Sequence, residues 1–592
     1  MKTELPTDVS CRGLKSVWSC SGSEDTGLPL VRRVLLGRGL ADEARASAFL
    51  SAKLTQLHDP ALLPGLSRAA DRLMSAVQAG EPIAIYGDYD VDGVSATAVL
   101  FHTLHEVARQ LQRTLDIRTY VPHRLDEGYG LNVQAVEELA AAGARVIVSV
   151  DCGVTAFLPA LAAKRAGTDL IITDHHNLPE TGLGLPEAYC VVHPRLEGSA
   201  YPFGELCGAG VAFKLAWELA RRSGGGRATP EARALLIDLL AMTALGVIAD
   251  VVPLVDENRI IARHGLGMIK HSRLEGLRAL VEASGLGGEK IEAVDVGFKI
   301  APRLNACGRM GHAREAVELF TTAKGPRARE LAEQLSRQNQ ERQRVQATIV
   351  TQACEEAVKL KMTGDDCRAI VLKHHGWHAG IVGIVCSKLV ERFHRPTLLL
   401  SEADGVCHGS GRSIDGYDLH AGIASCADLL TTFGGHAMAA GMKLSSDHFE
   451  AFRDRFTAHA NEAIRPEAMA GRTRFDCPAS TEEMDIEALT AFEALAPFGR
   501  ENPSVRVRLR DVRAVGRPQL IGSTGRHVSM TIQENEPGAG RALRVVGWDW
   551  AKEIGEFGSG RTFDCIVEPK ISRWNGRSTP EAELVDVRFI RS

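Results

Sequence analysis

Three carboxylates at alternate positions, Asp88, Asp90 and Asp92, stand in the run Tyr86-Gly-Asp-Tyr-Asp-Val-Asp-Gly93, directly after the apolar residues 82–86. A D-x-D-x-D-G run can open a calcium loop. Such a loop carries a bidentate Glu at its twelfth position, where this chain has Val99, and it follows a helix, whereas residues 82–86 read as a strand. Capping of the helix that starts near Val94 accounts for one aspartate and not for three. Two further apolar runs end alike, residues 145–150 in Asp151-Cys-Gly153 and residues 169–173 in Asp174-His175-His176. Carboxylates and imidazoles at the carboxyl ends of neighbouring parallel strands converge on one crevice, where open α/β sheets place their ligands. Such charges repel unless divalent cations neutralise them. An oxygen-rich set with one or two imidazoles suits Mn²⁺ or Mg²⁺ better than zinc, which draws more Cys and His.

The elements that must position these residues are legible around them. The three apolar runs lack alternation, as strands buried on both faces do, and a helical stretch at 132–142 lies between the first two. Residues 327–363 contain no Gly or Pro and would extend about 55 Å as one helix. A second α/β unit follows, with strands at 368–372 and 397–401 around a helix at 382–393, punctuated by Gly-rich turns at 405–416 and 434–435. Beyond residue 472 the pattern alternates with a period of two, and Arg506, Arg508 and Arg510 fall on one strand face, as in a small β-barrel. The expected architecture is a multidomain α/β chain: an N-terminal extension at 1–45, a parallel-sheet catalytic domain at 46–325, a linking helix at 326–363, a second α/β domain at 364–471 and an OB-like barrel at 472–592.

Composition narrows the setting. With 592 residues the chain exceeds a single core, and 45% hydrophobic with 24% charged residues is ordinary for a globular protein. No run approaches about 20 consecutive apolar residues, so no membrane partner is expected. The N-terminus has no apolar leader, and thirteen scattered cysteines without a C-x-x-C pair read as reduced thiols, so the expected location is cytoplasmic. The net charge of −5 hides an uneven distribution: residues 503–592 hold 15 Lys+Arg against 11 Asp+Glu.

At Asp174-His175-His176 the chain resembles the DHH phosphoesterase superfamily. Gly208-Ala-Gly-Val-Ala-Phe-Lys214, Ala249-Asp-Val-Val-Pro-Leu254, Leu304-Asn-Ala-Cys-Gly-Arg309, Trp377-His378 and Ser410-Gly-Arg-Ser413 extend the resemblance to its branch of bacterial single-stranded-DNA exonucleases. That resemblance implies a DHH catalytic domain, a DHHA1-type second domain and a single-strand-binding barrel. Its metal cluster, carried over by position, uses Asp90, Asp92, Asp151, His175 and Asp250 for two Mn²⁺ or Mg²⁺ ions, with Asp151 between them. Asp88 is aimed at the same place by the alternation, and His176 is cast as a phosphate contact or a partner of the ligands. Tyr86 stands where pyrophosphate-hydrolysing relatives have a His.

Substrate contacts should lie opposite the metals. Arg309, after Gly308 in a loop, and Asn305 can meet a phosphate. Gly409-Ser410-Gly-Arg412-Ser413 offers amides, hydroxyls and a guanidinium for a terminal phosphate. The resemblance adds His378, His436 and Gln340. Arg124 and Tyr129 read equally as a phosphate contact with a stacking ring or as a Gly-rich loop with a half-buried Tyr. Arg506, Arg508 and Arg510, with Trp548, Trp550 and Trp574 for stacking, suit a single strand. The resemblance further implies two-metal hydrolysis of single-stranded DNA from a 5′ end to 5′-mononucleotides, in recombination and repair, with single-strand-binding protein and a RecQ-type helicase as partners. The alternative is a DHH-type phosphodiesterase acting on short oligonucleotides or cyclic dinucleotides.

Overall fold

The computed structural model describes residues 11–22, 27–124, 127–180, 182–288, 290–535 and 540–590. The chain forms two compact units, one of Ser51–Arg344 with Pro497–Pro503, the other of Met1–Leu50, Val345–Ala496 and Ser504–Ser592.

The first unit is built on a five-stranded, all-parallel sheet in the order Ile117–Tyr120, Ile83–Gly87, Val146–Val150, Asp169–Thr173, Cys190–Val192. Ile83–Gly87 and Val146–Val150 are buried at every position, which is why their sequences are apolar without alternation. Helix Val133–Ala141 is capped by the Asn132 side chain, which accepts from the Ala135 amide at 2.7 Å. On the other face lie Val91–Gln110, Gly208–Ser223 and Pro230–Ala249. Pro230–Ala249 is long and apolar enough to cross a membrane, yet it is mostly buried in this core. Its apolarity is that of a helix surrounded by protein.

Most of the stretch without Gly or Pro lies in the 35-residue helix Gly325–Lys359, whose Leu331, Leu335, Ile349 and Ala353 are buried. In the second unit a five-stranded sheet runs Thr432–His436, Ala439–Ser445, Val406–Arg412, Thr397–Ala403, Ile370–His374. Here the expected Gly-rich turns are corrected, because residues 406–412 and 432–436 are strands. Gly409 and Gly411 lie in a ladder, and a Cβ on either would collide with Leu400 and Met442 or with Leu398 and Leu419. Small residues are needed there for packing and not for a turn.

The barrel closes as Val507–Ile521, His527–Glu534, Leu543–Gly547, Arg577–Phe589 and Phe563–Trp574, with the last strand pairing back to the first. That ring is the OB topology. The N-terminal residues, without a reading from sequence, are stitched to this end of the chain. Ser16–Cys20 pairs parallel with Gly471–Phe475. Buried Asp586 accepts hydrogen bonds from the Lys15 and Ser16 amides at 3.0 Å, from Ser16 Oγ at 2.6 Å and from Trp18 Nε1 at 2.8 Å.

Candidate active site

The acidic residues of the site sit at the ends of buried elements. Asp90 caps helix Val91–Gln110, accepting from the amides of Asp92 at 2.9 Å and Gly93 at 3.1 Å. Gly93 is required because a Cβ there would stand 2.6–2.8 Å from the Asp88 backbone. Asp151 follows strand Val146–Val150 with φ +63°, a left-handed turn that a non-glycine residue seldom adopts, and its amide donates to Thr173 O at 3.0 Å. Asp250 is the C-cap of Pro230–Ala249. Asp92 is buried, and its carboxylate accepts from the Gly208 amide at 2.6 Å and the Ala209 amide at 2.9 Å, at the N-terminus of Gly208–Ser223.

These side chains form linked groups: Asp88 with Asp90 and Asp151, Asp92 with His175 and Asp250, and Asp151 with His175 and His176. His175 Nε2 lies 3.1 Å from Asp151 Oδ1, 3.6 Å from Asp250 Oδ2 and 3.7 Å from Asp92 Oδ2. Three buried atoms in this cluster, Asp88 Oδ1, Asp151 Oδ1 and His175 Nε2, have no hydrogen-bond partner. Unsatisfied lone pairs of this kind, in oxygen-rich surroundings with one imidazole, fit divalent cations of the Mn²⁺ and Mg²⁺ type. Burial, with the neighbouring carboxylates behind it, pushes Asp88, Asp90 and Asp151 above the usual carboxylate range and Asp250 up to about 8. Burial lowers His175 to about 4, which keeps the imidazole neutral and its lone pair available.

Asp174 does something else. Its Oδ1 accepts from the His175 amide at 2.7 Å, the His176 amide at 3.1 Å and His176 Nδ1 at 2.8 Å, and its Oδ2 accepts from the Val154 amide at 2.8 Å. Burial opposes ionisation of Asp174, but the His176 contact overrides it and the carboxyl falls to about 2. His176 is likewise opposed by burial and raised to about 9 by the Asp174 hydrogen bond. The Tyr129 hydroxyl stands 3.0 Å from the His176 ring and donates to Asp151 O at 3.3 Å. Buried Tyr86 donates to Gly130 O at 2.9 Å and so anchors the loop that carries Tyr129.

Several supporting residues escaped the sequence reading. Buried His193 meets His176 O through Nε2 at 2.8 Å and accepts the Arg195 amide on Nδ1 at 3.0 Å, while Arg195 Nη2 donates to His175 O. The turn after strand Cys190–Val192 thus grips both histidine carbonyls. Gly208 and Gly246 face the ligand carboxylates. A Cβ on Gly208 would lie 2.5 Å from Asp151 Cβ, and one on Gly246 would strike Asp92 Oδ1 and stand 2.7 Å from Ala209 Cβ. Only the Gly208 motif carried a signal of this in sequence.

Of the proposed substrate contacts, Asn305 and Arg309 are one turn apart on helix Ala301–Met310 and not in a loop. A Cβ at Gly308 would lie 3.1 Å from Tyr89 O, so this helix end touches the segment between Asp88 and Asp90. Arg124 packs over the Tyr89 ring at 4.8 Å. Gln340 is exposed on Gly325–Lys359. In the second unit His378 caps helix Ala379–Phe393, accepting the Gly380 amide at 3.1 Å. Ser410 and Arg412 share one face of their strand, toward Gly383 of that helix. His436 is exposed on the edge strand and, like Arg412, pairs with Ala439. The arginine face of the barrel carries ion pairs. Arg506 pairs with Glu568 at 2.8 Å and Arg508 with Asp564 at 2.7 Å; Arg510 is exposed. Trp550 is buried under Lys15, whereas Trp548 and Trp574 are open.

A parallel sheet that brings five aspartates and a neutral histidine together in linked groups able to hold divalent cations fits a metal-dependent phosphoesterase of the DHH type. Family models agree: the DHH family N-terminal domain matches residues 82–247, the DHHA1 domain 366–462 and the RecJ OB domain 475–586. The single-stranded-DNA-specific exonuclease RecJ of Bacillus subtilis is 38% identical over 566 residues, covering 94% of this chain and 68% of that protein. The structure of Thermus thermophilus RecJ with Mn²⁺ superposes with a TM-score of 0.78 at 29% identity, over 95% of this chain and 76% of that one. The same enzyme with Mg²⁺ gives 0.71 at 28% identity over 95% and 75%. The chain belongs to the RecJ family.

Proposed function

We propose that this chain is a metal-dependent exonuclease specific for single-stranded DNA, hydrolysing phosphodiester bonds from the 5′ end to 5′-mononucleotides in recombination and repair. The observation that carries the reading is the set of three ligand groups linked through Asp151 and His175, which contains three buried atoms without a hydrogen-bond partner. Asp88 and Asp90 would hold one ion, Asp92, His175 and Asp250 the other, and Asp151 both. Bound there, two divalent cations supply Lewis acidity to activate a water and to neutralise charge at the phosphorus. The chain's own residues do the rest. Asp174 keeps His176 protonated at neutral pH, which places a positive charge beside Asp151 to attract the phosphate. Tyr129 fixes the ring from the other side. Arg309 and Asn305 present donors to the adjacent phosphate, and Ser410 and Arg412 read the terminal one.

The barrel favours a long strand over the dinucleotide alternative. With Arg506 and Arg508 neutralised, its strand contacts are assigned to exposed Arg513 and Arg517 with Trp548 and Trp574. Single-strand-binding protein and a RecQ-type helicase are the partners this activity implies, and pull-down with the purified proteins tests them. Thirteen cysteines without a disulfide support a cytoplasmic location. Digestion of 5′- or 3′-labelled single strands and duplexes with Mn²⁺, Mg²⁺ or EDTA tests the activity. Mononucleotide release from the 5′ end of single strands only, abolished by EDTA, is expected, and release from the 3′ end overturns the polarity.

A further inference from the structure

Phe298 is 75% exposed and Val294, one turn before it, 58%. Both stand on the helical segment that leads into Ala301–Met310 through a π-helical turn at Val296–Ile300. An apolar side chain of this size on the surface needs a reason, and π-turns recur at functional sites because the extra residue re-aims the side chains around it. The helix gives Phe298 a direction. Its far end touches the Asp88–Asp90 segment at Gly308 and carries Asn305 and Arg309, so the residues from Arg309 back to Phe298 lead away from the metal ligands over roughly 16 Å.

Five residues beyond Phe298, on helix Ala301–Met310, is a cation without a counter-charge whose guanidinium reaches back to the carbonyl next to Phe298. Arg303 is half-buried, its Nε donates to Ser336 Oγ at 3.1 Å and its Nη1 to Lys299 O, and among the described residues no carboxylate pairs with it. Lys299, by contrast, is neutralised by Asp295 at 2.8 Å. A guanidinium oriented by neutral acceptors keeps its charge for an incoming anion. An exposed aromatic ring on the π-turn and, five residues on in the following helix, a guanidinium with no paired carboxylate supply the two contacts a single strand asks for, a face for a base and a charge for a phosphate.

We propose that Phe298 and Arg303 form a binding step for the unhydrolysed part of the strand, a base stacking on Phe298 and Val294 and the next phosphate meeting Arg303, several nucleotides from the scissile bond. The assignment rests on the single-strand reading of the active site and adds a subsite to it. It accounts for selectivity against duplex, since a paired base has no face free to stack.

The test uses full-length protein, with 2-aminopurine at successive positions of a single strand and binding measured in EDTA or Ca²⁺, beside hydrolysis of a dinucleotide and of a long strand in Mn²⁺. Phe298→Ala is expected to weaken long-strand binding about tenfold, to remove the fluorescence quench at one internal position and to leave dinucleotide hydrolysis unchanged. Phe298→Trp should retain the quench. Arg303→Gln should flatten the dependence of log K on log salt by about 0.7. The side chain of Phe298 is exposed, so unchanged thermal denaturation of Phe298→Ala separates this loss from misfolding. Wild-type protein that neither binds nor cuts single strands refutes the single-strand reading, and this subsite falls with it. Active wild type with unchanged affinity and quench in Phe298→Ala overturns the subsite alone. A change of oligomeric state in place of strand affinity overturns it as well, in favour of a protein contact.

Discussion

Gly208→Ala places one methyl group between the two halves of the metal centre. The added Cβ would stand 2.5 Å from Asp151 Cβ, about 1 Å inside ordinary carbon–carbon contact. Neither side yields easily. Asp151 is fixed by its left-handed backbone and by the bond from its amide to Thr173 O, and a Cβ cannot swing aside as a side-chain tip can. The helix start is fixed by the amides of Gly208 and Ala209 on Asp92. The clash therefore appears as a shift of Asp151 relative to Asp92, the separation that sets one ion site against the other. A misplacement near 1 Å costs on the order of 100-fold in rate, whereas overpacking of this size costs about 1–3 kcal/mol of stability. Steady-state release from a 5′-labelled strand should fall about 100-fold with a raised Mn²⁺ requirement, while circular dichroism stays native and the melting temperature drops by several degrees. Gly210→Ala, in the same helix, is the control. Its Cβ would meet the movable Leu206 side chain at 3.3 Å, and activity should stay near wild type. A Gly208→Ala rate within about threefold of wild type, at unaltered Mn²⁺ dependence, would refute the argument that the helix start positions Asp151.

Three further outcomes follow from the same geometry. His193→Phe fills the buried site but loses the bond to His176 O, and should lower kcat at least about tenfold with little change in KM; His193→Gln, which keeps a donor, should recover part of it, and equal losses in both variants would refute a positioning role. In EDTA, Asp88, Asp90, Asp151 and Asp250 hold protons more tightly folded than unfolded, so the stability they contribute is full below the ordinary carboxylate range and is lost as pH rises toward about 8. Melting curves from pH 5 to 8 should show that decline, with Mn²⁺ raising the melting temperature more at pH 8 than at pH 6; a flat apo profile would refute it. Arg513→Ala with Arg517→Ala should flatten the salt dependence of single-strand binding by about 1.4, whereas Arg506→Ala with Arg508→Ala should leave the slope and destabilise the barrel; the reverse ranking would return binding to the ion-paired face.

The strand ends were readable because burial on both faces leaves a run of apolar residues with nowhere to hide a charge, so the first Asp after each run marks where the chain leaves the core. Asp88, Asp151 and Asp174 were found that way, although the signal could not tell a ligand from a brace: Asp174 is consumed by three amides and an imidazole, which only the backbone around it reveals. Alternation fails for a related reason. It correctly places Arg506 and Arg508 on one face, but what that face meets is set by Asp564 and Glu568, more than 50 residues on, and a charge that is solvated in one pairing is neutralised in another. Glycine misled most plainly at Gly409 and Gly411, where the residue was read for its backbone freedom and is in fact used for its missing side chain. The N-terminal strand is the extreme case. Its partner Asp586 lies 570 residues away, and no local pattern encodes a bond of that span. Local chemistry is written where it acts, whereas the partners that hold it in place or cancel it are written wherever the fold brings the chain back, and so Gly246, His193 and Phe298 acquire roles only once their neighbours are known.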